Sequence, residues 1–177
     1  MKQKVLVQEL HTIDALARVD VLCLDKTGTI TTGEMKVEKI ESLTEHSEPH
    51  IVHVMGNLLE NLPDQNVTAQ ALRKYFASLK DYNVSQVLPF SSERKYSAVE
   101  FTEGTFYLGA WQFLFPKGNA VLEQHAQKYA EKGYRVLVLA CSKQALDRDR
   151  LPEALTAEAL IVISDVLRDD AKQTLAY

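Results

Sequence analysis

The sequence predicts an α+β module, an antiparallel sheet with flanking helices, placed between two strands of an α/β sheet. Three observations carry that prediction. Two short apolar runs, "VDVLCLD" at 19–25 and "LIVISD" at 160–165, both end in aspartate and read as buried parallel-type strands. Between them, apolar residues recur first at helical spacing and then in strand-sized runs. The 177 residues, 46% hydrophobic and 25% charged, suffice for one full core or for one core and part of another.

The elements follow in order. Pro49, after Ser47 and Glu48, suits the first turn of a helix whose apolar set is Val52, Met55, Leu58 and Leu59. A second helix is expected to carry Leu72, Tyr75, Phe76 and Leu79 on one face. "VSQVLPF", "YSAVEF" and "FYLGA" then read as antiparallel strands, the last two joined by a glycine-containing hairpin turn in "TEGT". A third helix, from about Asn119 to Lys132, presents Leu122, His125, Ala126 and Tyr129 and stops at Gly133, a residue suited to the left-handed cap. The strand "YRVLVLA" follows, and then a polar, charge-mixed connection.

Composition narrows the function classes. A formal charge of −4 supplies no broad basic field, which argues against nucleic-acid binding. Cys23 and Cys141 stand far apart in apolar runs and read as small buried hydrophobes in a reducing compartment. The apolar runs are strand-sized, far below the roughly 20 residues of a membrane helix. "MKQKVLVQELH" shows no secretory signal, so a cytoplasmic placement is expected. His46, His50 and His53 have near-helical spacing, but with Pro49 among them and no neighbouring cysteine they read as surface histidines.

The chemistry concentrates in "LCLDKTGTITTGEM", residues 22–35. A carboxylate at the end of a buried parallel strand lies where open α/β sheets place ligands, and small residues after it let backbone N–H groups approach an anion. Asp25 there suits attack on phosphorus, giving an acyl phosphate, while Lys26 and Mg²⁺ offset the incoming charge. A D-x-x-G alone is better read as a turn closing a strand. The longer match reverses that preference.

"DKTGTIT" with "TGEM" resembles the phosphorylation motif of the P-type ATPases, ion pumps built on a haloacid-dehalogenase-like phosphorylation domain. The resemblance implies that Asp25 is phosphorylated by ATP and that Thr27 contributes to phosphate and Mg²⁺ contacts, which makes Asp25 and Thr27 the metal-contacting residues and Lys26 their catalytic neighbour. Related soluble phosphatases usually place a second aspartate, a general acid, where this chain has Thr27. Threonine cannot protonate a leaving group in that way, which favours a long-lived phosphoenzyme. Residues 5–29 look like the linker descending from a membrane helix. "PFSSERKYSAV" at 89–99 resembles the nucleotide-domain signature, implying Phe90 against adenine, with Arg94 and Lys95 shaping or charging the pocket. "KGYRVLVLA" at 132–140 resembles the segment whose arginine, here Arg135, reaches the ATP phosphates. "ISDVLRDDAKQTL" at 163–175 is similar to the hinge, with Asp165 and Arg168, by which the chain returns to the phosphorylation domain.

Departures qualify the match. Many cation pumps carry K-G-A-P-E after the nucleotide hairpin; here Gly109 and Ala110 are kept, but Leu108 replaces the lysine, so base selectivity is expected to be modest. "NVTAQAL" offers Thr68 and Gln70 near the place of a frequent glutamate, and the His-Pro of heavy-metal pumps is absent. Nothing resembles the T-G-D and G-D-G-x-x-N-D segments that complete the phosphorylation site. The expected organisation is therefore a linker and first strand over 1–33, a nucleotide-binding domain over 34–158, and hinge with re-entry into a truncated phosphorylation domain over 159–177. As such a fragment, the chain is expected to bind ATP. The full protein is expected to be an ATP-driven cation transporter at the cytoplasmic face of the membrane, its partners being ATP, the transported cation and the remaining pump domains. Two alternatives stand beside it: a soluble haloacid-dehalogenase-like phosphohydrolase, which should have aspartate at position 27, and a stand-alone nucleotide-binding module.

Overall fold

In a computed structural model of the chain, residues 9–21 and 23–175 are described; the expected start of the linker at 5–8, the N-terminal run read for a secretory signal up to residue 8, and position 22 lie outside them. A six-stranded sheet organises the fold in the order β1 (Thr31–Ser42), β6 (Thr156–Leu167), β5 (Arg135–Ser142), β4 (Gly104–Gly109), β3 (Tyr96–Phe101), β2 (Val84–Leu88). Every neighbouring pair is antiparallel. The helices are α1 (Leu10–Leu16), α2 (Glu48–Asn61), α3 (Val67–Tyr75), α4 (Trp111–Leu114), α5 (Ala120–Ala130) and α6 (Ala171–Leu175).

Strand alternation divides the core into two layers. Val99, Phe101, Phe106, Leu108, Leu139, Ile161 and Ile163 face α2 and α3, where Ile51, Met55, Leu58 and Leu72 pack on them. Ala98, Tyr107, Val136, Val138, Ala140 and Leu160 face the opposite layer, with Leu114 of α4 and Leu122 and Ala126 of α5. The expected helices form where their caps and stripes place them. Pro49 occupies the first turn of α2, and Gly133 takes a φ of +82° after α5. Tyr75 differs from its expected role: α3 ends there and its ring is exposed, while Leu72 within the helix and Phe76 just after it are buried in the core, and Leu79 lies beyond the helix.

Larger differences concern the flanks. None of the described residues of 19–25 is in a strand, and Val19, Val21, Cys23 and Leu24 are exposed. A buried parallel strand needs partners on both edges and cover on both faces, and the sheet formed here offers this run neither. "LIVISD" lies instead within β6, antiparallel between β1 and β5, so the two aspartate-terminated runs do not share a parallel sheet. β1 starts before residue 34 and β6 ends after 158, and the sheet therefore runs through both edges of the expected 34–158 module. Cys141 is half-buried but polar in its contact. Its thiol donates to Glu158 Oε1 at 2.9 Å, and burial together with that carboxylate pushes it up to about 12.

A polar cluster ties the α5 layer to the edge strand. Glu41 of β1 hydrogen-bonds with His125 and Tyr129 of α5, and Lys39 Nζ lies 3.3 Å from Glu41 Oε2 and 3.1 Å from the Tyr129 hydroxyl. Burial raises the Glu41 carboxyl, but the hydrogen bonds with Tyr129, His125 and Lys39 outweigh it and hold the group down at about 2. A carboxyl depressed from 4.5 contributes stability above that value and loses it as pH falls toward about 2. Denaturant unfolding followed through this window should show the wild type losing stability and Glu41→Gln losing less. Equal slopes in the two proteins would refute the linkage.

Candidate functional site

The α3 side of the sheet stops short of filling its own layer, and a cavity of about 650 Å³ opens there. Its floor is apolar: Leu59 and Leu62 from the end of α2, Leu72 of α3, Leu108 of β4 and Leu137 of β5. Leu108 is only 5% exposed and continues the core, which explains how an apolar residue stands where the resemblance leads one to expect a lysine. The rim is polar, with Asp64, Thr68, Lys95 and Arg135. A volume of this size with an apolar floor and few polar groups is typical of small-ligand sites.

The loop between β2 and β3 delivers Phe90 and Lys95. Ser91 organises it: its hydroxyl accepts from the N–H groups of Glu93 (3.2 Å) and Arg94 (3.4 Å), and its carbonyl accepts from Lys95 N at 2.8 Å. Arg94 turns back, donating from Nη2 to the Pro89 carbonyl at 2.8 Å, so it braces the loop rather than lining the cavity. Phe90 remains 40% exposed at the mouth, and its N–H donates to Asp64 Oδ2 at 3.4 Å. Lys95 takes a φ of 61°, a left-handed conformation uncommon for a residue with a side chain. The Lys95 carbonyl accepts from Ala110 N at 3.0 Å, which draws the loop against the end of β4. That approach dictates Gly109: a Cβ there would sit 2.5 Å from Lys95 O and 2.6 Å from Tyr96 Cα.

α3 closes the other side. Asn66 caps it by accepting from Ala69 N at 2.9 Å, and Arg73 holds the preceding turn by donating to the carbonyls of Leu62 (2.6 Å), Leu59 (3.3 Å) and Asp64.

The expected site residues thus divide. Phe90, Lys95, Gly109, Arg135, Thr27 and Asp165 line one cavity. Asp25, Lys26, Arg94 and Arg168 do not. Lys26 lines an adjoining space of about 300 Å³ with Arg135 and Asp165, and its ammonium lies 2.5 Å from Asp165 Oδ2. Asp165 and Arg168 are not paired with each other; Arg168 Nε lies 3.8 Å from Asp170, and its N–H donates to Ile30 O at 3.0 Å. Sequence reasoning missed Met35, Asp64, Asn66, Arg73 and Ser97 as cavity residues. The run "PDQN" before α3 signals a helix start, but nothing in it signals a cavity wall.

A Mg²⁺ ion commonly joins one or two carboxylates to substrate phosphates. Asp25 and Thr27 offer one exposed carboxylate and one hydroxyl. Among the described residues, no group of three or more His, Cys, Asp or Glu side chains is arranged to hold an ion. This donor set fits an ion that arrives with phosphate oxygens. Among the described residues no helix is long and apolar enough to cross a membrane.

No protein-family model matches the chain. It is 44% identical, over 99% of its length, to the probable cation-transporting ATPase exp7 of Streptococcus pneumoniae, of which it covers 22%. It is 34% identical, again over 99% of its length, to the calcium-transporting ATPase CtpE of Mycolicibacterium smegmatis, of which it also covers 22%. The chain therefore spans about a fifth of these curated relatives. Among solved structures, a zinc-transporting PIB-type ATPase matches 86% of the chain, and 22% of its own, with TM-score 0.63 and 18% identity. The N-domain of HMA6, a copper-transporting P-type ATPase, matches 74% of the chain and 99% of its own, with TM-score 0.50 and 12% identity. At these identities the likeness is one of fold.

Because Lys95 and Tyr96 press on β4 at Gly109, Gly109→Ala is expected to cost about 1–3 kcal/mol as an overpacking change. Urea denaturation measures it, and an unchanged midpoint would mean that the loop does not sit against the strand.

Proposed function

We propose, for a chain homologous along 99% of its length to one segment of the cation-transporting P-type ATPases, that it is the nucleotide-binding module of such a pump together with the turn that carries its phosphorylated aspartate. One observation carries the reading: a single cavity gathers Phe90, Lys95, Gly109 and Arg135 from three separate stretches of sequence, with Thr27 on its lining. Adenine enters over the apolar floor and stacks on Phe90, a half-exposed ring at the mouth. Gly109 allows the backbone to approach the base. Lys95 and Arg135 supply positive charge at the rim for the phosphates, and Arg94 keeps the loop in shape. Thr27 on the lining favours an orientation with the γ-phosphate toward the Asp25 turn.

In the complete pump, an Asp25 carboxylate oxygen attacks the γ-phosphorus, the bond to the β–γ bridging oxygen breaks, and ADP leaves with that electron pair. Mg²⁺, when bound with the nucleotide, neutralises phosphate charge. Asp25 and Thr27 are the residues placed to contact it. Asp165 in β6 and Arg168 just after it belong to the segment that returns toward the phosphorylation domain, a haloacid-dehalogenase-like domain into which this module is inserted. The transported cation, the other pump domains and a location at the cytoplasmic membrane face belong to the same proposal.

ATP titrated onto the 177-residue chain while amide shifts are followed tests the cavity. Phe90→Ala should weaken binding by about 1–3 kcal/mol, the worth of a base stacked on an aromatic ring. Unchanged affinity with the fold intact would remove Phe90 from the site. A second expectation concerns Asp25. Placing a polyanion against a carboxylate needs a well-held ion and an in-line cation, whereas the Lys26 ammonium here lies on Asp165. The chain by itself, given Mg²⁺ and radiolabelled ATP, should therefore acquire no hydroxylamine-sensitive label, while the complete pump should acquire one at Asp25. Label on the isolated chain that disappears in Asp25→Asn would show that the turn alone suffices.

A further inference from the structure

Arg135 opens β5 at the cavity rim, and its guanidinium, although exposed, has a side-chain partner. Nη1 donates to Thr68 Oγ1 at 2.6 Å. Thr68 stands in the first turn of α3, and its own hydroxyl donates to Met35 Sδ of β1 at 3.6 Å. One hydroxyl therefore uses its proton on β1 and a lone pair on β5, so its orientation is fixed from both sides. Threonine is β-branched and stiff about χ1. The Asn66 cap fixes the turn on which Thr68 sits.

We propose that Thr68 is a positioning residue, holding the Arg135 guanidinium toward the phosphate end of the bound nucleotide. The proposal rests on the reading of the cavity as an ATP site. An arginine has many rotamers to lose when it is ordered, and the Thr68 contact orders it before the ligand arrives. A hydroxyl suits this task because it carries no charge: it orients the guanidinium while leaving its positive charge available to an anion, whereas a carboxylate at the same place would compete with the phosphates for it.

Calorimetric titration of ATP and of adenosine onto the 177-residue chain tests this. Thr68→Val, nearly equal in volume but without the hydroxyl, should weaken ATP about threefold to tenfold, the effect of releasing one immobilised side chain. Adenosine binding should not change, and Thr68→Ser should restore ATP affinity. Arg135→Ala should weaken ATP and spare adenosine, and adding Thr68→Val to it should have no further effect. Amide spectra report whether each variant keeps the fold; if the valine variant does not, the comparison of Thr68→Ala with Thr68→Ser carries the same test. Equal losses for ATP and adenosine in Thr68→Val, or a loss that adds to that of Arg135→Ala, would show a merely structural role and overturn the proposal. If Phe90→Ala and Arg135→Ala are both silent, the ATP site itself falls and this inference with it. If both weaken ATP while Thr68→Val does not, only the positioning role falls.

Discussion

The antiparallel pairing of β1 with β6 is the constraint on which the rest of the molecule depends. It joins the incoming and outgoing ends of the module from Thr31↔Leu167 to Ser42↔Ala159, with register shifts between Thr31 and Met35 and between Val37 and Lys39. Contacts at the open end extend it: Arg168 N donates to Ile30 O at 3.0 Å, Thr32 Oγ1 to Val166 O at 3.3 Å, and Lys26 pairs with Asp165. Because side chains alternate along a strand, a one-residue slip would send Met35 away from α3 and Glu41 away from α5. Both helical layers are thus located by one strand pair. The same pair sets the turn bearing Asp25 beside the sheet end that carries Arg135.

From that frame the cavity follows as a consequence of packing. Helices α2 and α3 cover the same face of the sheet, yet α2 ends at Asn61 and α3 is anchored on β1, and the space between them and β4 is left open. Its floor is core that has lost its cover, and its rim is formed where loops meet strand ends. Charge is thereby kept at the mouth while the interior stays apolar. That division suits a ligand with a flat ring at one end and phosphates at the other. Lys95, in a left-handed conformation, and Gly109, where a Cβ has no room, are two sides of one close contact between loop and strand. Local strain and a missing side chain are both explained by it.

The two layers are held by different means. On the α3 side, apolar packing is reinforced by Arg73, which ties three carbonyls around the α2–α3 turn. On the α5 side, the Glu41 cluster adds a charged bond between helix and edge strand that depends on pH. Burying a carboxylate is unfavourable unless it is paired and hydrogen-bonded, and Glu41 meets both conditions.

Much was legible in the sequence by itself because it depends on neighbours a few residues apart. The helices α2 and α5, the hairpin through "TEGT", and the strands "YSAVEF" and "YRVLVLA" follow from periodicity, caps and turns. The kinship with P-type ATPases rests on motifs that are contiguous runs. Tertiary structure alone decided the partners. The run at 19–25 has the composition of a buried strand, but a strand is defined by what pairs with it, and here the sheet pairs "LIVISD" antiparallel to β1 instead. It likewise took the fold to bring Thr68, Arg135 and Met35 onto one hydroxyl from residues 33 and 67 positions apart. It also separated Arg94, whose guanidinium turns back on its own loop, from Lys95 beside it, which faces the cavity. A short stretch of chain determines its own conformational preferences; which side chains face one another across a cavity is set by how the whole sheet and its helices dock.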